Sequence, residues 1–121
     1  MAVLVDTSVW VQHYRRTVPE LAAMLIADEV ATHAVVIGEL AVGGLRNRTQ
    51  TLADLRQLPL VLAMSSDQVL DFLEQHQLYN IGLSWGDVHL LSAAVLHTVS
   101  LWTFDTTLSQ RAVVLGVAYT P

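Results

Sequence analysis

Short apolar runs alternate along this chain with stretches in which apolar positions recur at helical spacing. The short runs predict β-strands at residues 2–5, 30–32, 58–63, 99–104 and 116–120. Helices are predicted between them at residues 7–14, 19–28, 34–44, 49–58, 87–97 and 106–114, with one more capped at Ser66 and Asp67. This alternation indicates an α/β fold with a mainly parallel, roughly five-stranded central sheet covered on both faces, a three-layer α/β/α sandwich.

Two of the predicted strands end in the same way, with an apolar run followed by Asp-Thr and a predicted helix. The aspartates are Asp6 and Asp105. Each suits the N-cap of the helix that follows, which is an ordinary structural role. In a parallel sheet, however, strand carboxyl ends share one edge, and neighbouring strands lie about 4.8 Å apart. Two carboxylates so close would repel each other unless one takes a proton or both share a cation.

Glu39 stands in the sequence AVVIGELAVGG, where every other side chain is apolar or absent. A helix of this composition has no polar face on which a glutamate would lie by default. Because an unpartnered buried carboxylate is costly, Glu39 is expected to face a polar cleft or bind a ligand. The alternative is a helix rotated so that Glu39 emerges at its rim.

Asp87 is the last of the four acids that the pattern singles out. Ser84 lies three residues earlier, a spacing that matches a capping box, so a structural role alone accounts for Asp87. The remaining seven acids, such as Asp54, Asp71 and Glu74, fall on amphipathic helices and fit solvated faces.

Composition limits the classes of function. The chain of 121 residues has room for one domain, and its 53% hydrophobic content and mean hydropathy of +0.46 predict a dimer or an obligate partner. No apolar run reaches the roughly 18–20 residues of a membrane span, and the N-terminus lacks the basic leader of a secretory signal. The absence of cysteine removes disulfides and thiolate metal sites, which fits a reducing, cytoplasmic location.

The charges exclude several chemistries. The formal net charge is -5, and all six basic residues are arginines. Without lysine there is no P-loop lysine, no Schiff base and no lysine to support an aspartyl-phosphate. The acidic balance weighs against nucleic-acid binding. That objection weakens if four of the eleven acids form a metal site, because the remaining charge is then near neutral.

Four segments in this order resemble the PIN-domain ribonucleases, and among them the VapC-type toxins of toxin–antitoxin pairs: VDTSVW, VIGELAVGGL, GLSWGDVHLLSAA and LWTFDTTL. The resemblance spans nearly the whole chain and implies one PIN domain over residues 1–121. It implies an endoribonuclease that depends on Mg²⁺ or Mn²⁺, ions that prefer carboxylate ligands. The implied metal ligands and catalytic residues are Asp6, Glu39, Asp87 and Asp105, with Asp6 and Asp105 as the principal ligands.

The resemblance also implies supporting residues. Thr7 or Ser8 matches a hydroxyl beside the first acid, and Thr103 matches a hydroxyl two residues before the last. His89 matches a position near the site, although packing on one side of an apolar helix explains it equally well. Phe104 stands where the family usually carries a basic or polar residue, a departure that concerns substrate contact rather than metal binding.

The partners implied by the resemblance are an RNA substrate, a VapB-type antitoxin whose tail lies in a hydrophobic groove, and a second copy of the chain. Candidates for the groove are Trp10, Val11 and Tyr14, which core packing explains equally well. Candidate RNA-binding residues are the arginines after the first helix and after the glycine pair: Arg15, Arg16, Arg46 and Arg48. Surface solubility is the alternative explanation for these arginines.

Three other functions fit parts of the sequence. A phosphatase with Asp6 as nucleophile would need a second acid where Ser8 stands, and a lysine that the chain lacks. A receiver-like signalling domain would need the same lysine. A PIN fold without catalysis, serving as a protein-binding scaffold, remains open, although the presence of all four acids weighs against it.

Overall fold

A computed structural model describes residues 2–121 of the chain. Over that range the chain forms three strands and seven helices. The strands are β1 (Val3–Val5), β2 (Val30–Ala31) and β3 (Ser100–Trp102). The helices are α1 (Thr7–Arg15), α2 (Pro19–Ile26), α3 (Ala34–Val42), α4 (Arg48–Arg56), α5 (Ser66–Gln75), α6 (Trp85–His97) and α7 (Thr106–Val114).

The three strands are parallel and lie in the order β2-β1-β3. The central strand β1 is a run of three buried apolar residues, as expected for a strand covered on both faces. In the register of β1 and β3, Val5 lies beside Trp102. Both strands therefore finish at the same level of the sheet, and Asp6 follows one while Thr103 follows the other.

The prediction of five strands is wrong for the part of the chain that the structure describes. Residues 58–63 and 116–120 each contribute one isolated parallel bridge, from Leu60 to Thr32 and from Ala118 to Leu101. These bridges lie on the outer sides of β2 and β3, where a fourth and a fifth strand would pair. Pro59 has no N–H to donate, which weakens pairing in the first of these segments.

The helix boundaries follow local capping chemistry. Pro19 occupies the first turn of α2, and α3 ends before Gly43, both as predicted. The predicted cap at Ser66 and Asp67 is wrong, because Ser65 caps α5 in a capping box with Gln68. Helix α6 begins two residues earlier than expected, since its N-cap is Ser84.

The hydrophobic core is formed by β1, the buried side of α6 and the inner faces of the other helices. In α6, Leu90 and Leu91 are fully buried, as is Leu4 of β1, and each such side chain contributes about 1.5–3 kcal/mol of burial free energy. The bridges place Leu60 outside β2 and Ala118 outside β3, so the chain moves outward from β1 to Leu60, returns to β3 and then moves outward again. Because parallel crossovers are almost always right-handed, this path predicts α1–α4 on one face of the sheet and α5–α7 on the other. The seven helices and the parallel sheet of residues 2–121 confirm the α/β fold expected from the sequence.

Some of the apolar side chains are exposed on the surface. Ile26, Val42 and Val114 are more than two-thirds exposed. None of the helices over residues 2–121 is long and apolar enough to cross a membrane.

Candidate active site

Asp6 lies directly after the central strand and is almost completely buried, with 5% of its surface exposed. It is the N-cap of α1, as its ordinary structural role predicts. Its Oδ2 atom accepts hydrogen bonds from the Ser8 backbone N–H (3.3 Å), the Ser8 hydroxyl (2.6 Å) and the Thr103 hydroxyl (2.7 Å). Within residues 2–121, Oδ1 accepts no hydrogen bond, so one oxygen is fixed and the other remains free for a ligand.

Thr103 joins Asp6 to Asp105. Its Oγ1 atom donates to Asp6 and accepts the backbone N–H of Asp105 at 3.0 Å. The carboxylate of Asp105 caps α7 by accepting the N–H of Leu108 at 2.9 Å through Oδ1. The two aspartates at the ends of β1 and β3 therefore lie at one edge of the sheet, where the side chain of Thr103 forms a hydrogen bond with each of them. We call Asp6, Ser8, Thr103 and Asp105 the strand-end network.

Asp87 is half-buried in the first turn of α6, where it forms the predicted capping box with Ser84. Burial raises the pKa of this carboxyl, and the negative charges of Asp6 and Asp105 raise it further, whereas the hydrogen bonds from Ser84 lower it. Asp87 therefore lies close enough to both aspartates of the strand-end network for their charges to affect its ionisation.

Glu39 reaches the same region from α3. Its side chain is exposed rather than buried, and its Oε1 atom accepts a hydrogen bond from the Thr7 hydroxyl at 2.6 Å. Its other oxygen lies beside the start of α6: a Cβ atom placed on Gly86 would be 3.2 Å from Glu39 Oε2. Glu39 thus lies exposed at the rim of its helix, as the alternative interpretation expected, and its carboxylate contacts Thr7 and the start of α6.

The two hydroxyls after Asp6 have different partners. Ser8 bonds to Asp6, whereas Thr7 bonds to Glu39. Sequence reasoning treated them as alternatives for one role. No spacing in the sequence indicates that residue 7 meets residue 39, so the Thr7–Glu39 bond and the close approach of Gly86 could not be predicted.

The model of the PIN domain matches residues 3–114 of the chain. The chain belongs to the PIN-domain family. It is 38% identical over 120 residues to Ribonuclease VapC32 of Mycobacterium tuberculosis, a match that covers 96% of this chain and 94% of that protein. This similarity identifies it as a VapC-type PIN domain.

Two solved structures share the PIN-domain fold. One is a toxin–antitoxin complex from Klebsiella pneumoniae, with a TM-score of 0.66, 19% identity and coverage of 87% of this chain and 88% of that one. The other is PAE2754 from Pyrobaculum aerophilum, with a TM-score of 0.64, 16% identity and coverage of 96% of both chains. At these identities the comparison supports the fold alone.

The acids of this PIN domain suit a hard divalent ion, because carboxylate oxygens are the ligands that Mg²⁺ and Mn²⁺ prefer. Over residues 2–121, however, no three acidic or histidine side chains lie close enough to hold an ion between them. The donor set therefore fits an ion that takes one or two carboxylates directly and reaches the others through its retained waters, as Mg²⁺ usually does.

A cavity of about 570 Å³ opens beside Glu39, between α1, α3 and the segment before α4. Two of the four candidate arginines, Arg15 and Arg46, line it. Arg48 instead donates to the backbone carbonyl of Gly43 at 3.4 Å, and Arg16 ends α1 as its C-cap without lining this cavity. Two of the candidate arginines therefore line the same cavity as Glu39, and the other two do not.

The candidate groove residues also fall into two groups. Val11 and Tyr14 are partly exposed and line the same cavity, whereas Trp10 is 3% exposed and belongs to the core. Burial raises the pKa of Tyr14 to about 12, with a further contribution from the charge of Asp54. The tyrosine therefore remains neutral at any physiological pH.

His89 packs against other aromatic rings rather than against the acids. Its ring lies 4.8 Å from that of Trp85 and 6.1 Å from that of His33, centroid to centroid. His33, which sequence reasoning did not single out, caps α3 by accepting the Val35 N–H through Nδ1. Burial lowers the pKa of His33 to about 4, helped by His89 and His97, so its imidazole is neutral as that cap requires.

Proposed function

We propose that this chain is the toxin of a toxin–antitoxin pair and acts as an endoribonuclease that depends on Mg²⁺ or Mn²⁺. The observation that carries the proposal is the strand-end network, in which Thr103 joins Asp6 and Asp105 through hydrogen bonds. The name of the Mycobacterium tuberculosis relative, Ribonuclease VapC32, and the toxin–antitoxin complex from Klebsiella pneumoniae support it. The reaction is hydrolysis of an RNA phosphodiester that leaves a 5′-phosphate and a 3′-hydroxyl.

The ion would be held by Asp6 and Asp105, with Asp87 and Glu39 acting directly or through water. When bound, it would lower the pKa of a water molecule and neutralise charge on the phosphodiester. The protein prepares the site in advance. Ser8 and Thr103 hold Asp6 Oδ2 by hydrogen bonds, which fixes the direction in which Oδ1 points.

Crowding of carboxylates is the electrostatic basis of the proposal. The raised pKa of Asp87, with Asp6 and Asp105 among its causes, means that these groups repel one another when all are ionised. A divalent cation removes that repulsion and favours the ionised form of Asp87. Asp6 is buried, and its side-chain hydrogen bonds within residues 2–121 all go to Oδ2, so a cation at Oδ1 would satisfy the second carboxylate oxygen.

Arg15 and Arg46 are proposed to hold phosphates of the RNA. Both line the cavity that opens beside Glu39, and arginine can bind a phosphate through two parallel hydrogen bonds. Contacts of this kind position the backbone of a nucleic acid without reading its sequence. They would lead the strand across the four acids Asp6, Glu39, Asp87 and Asp105, which we call the acidic edge, despite the net charge of -5.

The same cavity is proposed to receive the tail of a VapB-type antitoxin. Its wall combines apolar surface from Val11, Tyr14 and Leu45 with the charges of Arg15 and Glu39. A tail with an apolar segment and a basic residue would match this surface, and the basic residue would compete with a cation for the acids. We propose in addition that the exposed apolar side chains support a homodimer in the cytoplasm.

Replacement of Asp6 by Asn tests the enzymatic proposal. Asparagine caps helices as well as aspartate does, so α1 should remain folded while the charged ligand is lost. RNA cleavage in Mg²⁺ or Mn²⁺ should fall by more than about 100-fold, because even changes to the partners of metal ligands cost 10- to 100-fold. Excess EDTA should stop cleavage by the unmodified chain.

Equal cleavage by the unmodified chain and the Asp6→Asn variant would reveal a contaminating nuclease and contradict the proposal. A protein-binding scaffold is the second candidate, and it is favoured by the absence, over residues 2–121, of a ready-made site of three ligands. Failure of the unmodified chain to cleave RNA in either metal, together with intact antitoxin binding, would favour that scaffold.

A further inference from the structure

Two exposed aromatic side chains border the acidic edge, and neither has a role in the proposed metal site. Phe104 is 49% exposed and Trp85 is 44% exposed. Each is close in sequence to an acid, since Phe104 precedes Asp105 and Trp85 lies two residues before Asp87. Large aromatic rings bury 150–250 Å² when they are covered, so leaving two of them open beside one site forgoes considerable stability.

Phe104 is fixed to the strand-end network through its backbone. Its N–H donates to the Ser8 hydroxyl at 3.0 Å, and that hydroxyl bonds to Asp6. Its ring stands edge-to-face against the buried Trp102, with centroids 5.7 Å apart and planes at 84°. The ring is therefore held on one side by the core, while about half of its surface faces solvent.

Trp85 is the first residue of α6, on the side of the acidic edge where Gly86 meets Glu39. Its ring stands perpendicular to that of His89, with centroids 4.8 Å apart and planes at 87°. His89 is four residues further along the same helix, so one turn of α6 supports the indole. Trp10 and Trp102 are buried in the core, whereas Trp85 presents its ring to solvent.

We propose that Phe104 and Trp85 are stacking platforms for two unpaired bases of the RNA. The inference rests on the proposed ribonuclease function and adds two residues of this chain that would contact the bases of the substrate. Proteins that read single-stranded RNA stack such bases on Phe, Tyr and Trp, whereas the bases of a duplex are already stacked on one another. Because Phe104 precedes Asp105 and Trp85 lies two residues before Asp87, bases held by these rings would bring the adjoining phosphodiester towards the acids.

Binding to RNA with and without bases tests this proposal. The protein is the full chain with Asp6→Asn, in Mg²⁺, so that no strand is cut. The probes are a fluorescein-labelled single-stranded 12-mer of random sequence and an abasic 12-mer of the same length. Phe104→Ala should weaken binding of the base-bearing strand by about 5- to 100-fold. It should leave binding of the abasic strand unchanged, since the arginine contacts remain.

The controls separate stacking from a general loss of structure. Trp85→Ala should behave as Phe104→Ala does, while Phe104→Tyr and Trp85→Phe should keep the preference for bases. Val114→Ala is the matched control, because Val114 is 71% exposed and apolar but lies at the far end of α7. A nine-residue helix is about 13 Å long, so this change is remote from the bases.

Two outcomes would overturn the inference. In the first, both alanine variants keep the same preference for bases as Val114→Ala. In the second, that preference persists but sedimentation shows that the alanine variants lose a dimer or an antitoxin complex, which would assign the rings to a protein interface. Cleavage of the random RNA by the unmodified chain is measured separately, so failure of the stacking proposal and failure of the ribonuclease proposal are distinguishable.

Discussion

The acidic edge has two halves that are built differently. In the strand-end network, Asp6 is buried, and its Oδ2 atom receives three hydrogen bonds from residues that follow two paired strands. On the helical side, Glu39 is exposed and is held by one hydrogen bond, from Thr7. A side chain with several free torsions loses more entropy when a ligand fixes it. The orientation of Asp6 is therefore fixed by hydrogen bonds from residues that follow the strands. The orientation of Glu39 depends on its single bond to Thr7 and on the packing of α3.

Among changes that leave all four acids in place, the largest effect is expected from removing the Thr103 hydroxyl that joins Asp6 to Asp105. Thr103→Val keeps the shape of the side chain but deletes the donor to Asp6 and the acceptor for the Asp105 N–H. RNA cleavage should fall by about 10- to 100-fold, the usual cost of losing a partner of a metal ligand. The measurement is the cleavage rate as a function of Mg²⁺ concentration, with the loss appearing as a higher concentration for half-maximal rate.

Thr120→Val is the control for this change, because Thr120 is exposed and donates no side-chain hydrogen bond within residues 2–121. Its cleavage rate should match that of the unmodified chain. If Thr103→Val also retained full activity at low Mg²⁺, the strand-end network would not orient the metal ligand, and the contrast between the two halves would lose its functional meaning.

A smaller effect is expected when the second half is disturbed by adding one methyl group. In Gly86→Ala, the new Cβ would lie 3.0 Å from Val35 Cγ1 and 3.2 Å from Glu39 Oε2. The exposed glutamate can move aside at little cost, which would break its bond to Thr7, worth about 0.5–1.5 kcal/mol. Cleavage should therefore drop by roughly 2- to 10-fold, at 1.4 kcal/mol for each factor of ten.

Gly38→Ala is a matched control on α3, since a Cβ atom there would meet nothing within 4 Å. Both substitutions remove a helical glycine, which favours the folded state by up to about 1 kcal/mol. Thermal unfolding should show no loss of stability in Gly38→Ala, whereas in Gly86→Ala the close approach to Val35 and the lost Thr7 bond offset that gain. A drop in cleavage confined to Gly86→Ala would show that the lack of a side chain at Gly86 allows Glu39 to take its position. Equal activity of the two variants would show that it has no such effect.

The two halves also differ in how far the sequence alone predicts them. Asp6 and Asp105 could be paired in advance because strand carboxyl ends share an edge in a parallel sheet, and the structure brings them together through Thr103. The contact of Glu39 with Thr7 and with Gly86 depends on how α3 packs against α1 and α6. No periodicity along the chain encodes the rotation of one helix against another.

The same limit applies to the fold. The helices and the central strands follow from apolar periodicity, which is a local property. Whether an apolar run becomes a strand depends on a partner on each side, and the runs at 58–63 and 116–120 have one bridge each. The misplaced cap of α5 has a simpler cause: Ser65 and Ser66 are adjacent, and only the bond to Gln68 distinguishes them.

The smallest expected effect concerns stability and not catalysis, and it tests whether Asp87 belongs to the acidic edge. Its folded-state pKa is raised above the ordinary value of 3.8. The folded protein therefore binds more protons than the unfolded chain between that value and the raised pKa. The free energy of unfolding should fall as the pH rises through this window and remain lower above it.

In Asp87→Asn this part of the pH dependence should disappear, because no group titrates at residue 87. The variant should be slightly more stable than the unmodified chain at pH 7 in EDTA, where no cation offsets the repulsion from Asp6 and Asp105. Added Mg²⁺ should reverse the order, since it stabilises a folded state that keeps all its ligands. Denaturant unfolding from pH 3 to 8, with and without Mg²⁺, measures both effects. An identical pH profile for the two proteins in EDTA would separate Asp87 from the strand-end network and leave it as the cap of α6 alone.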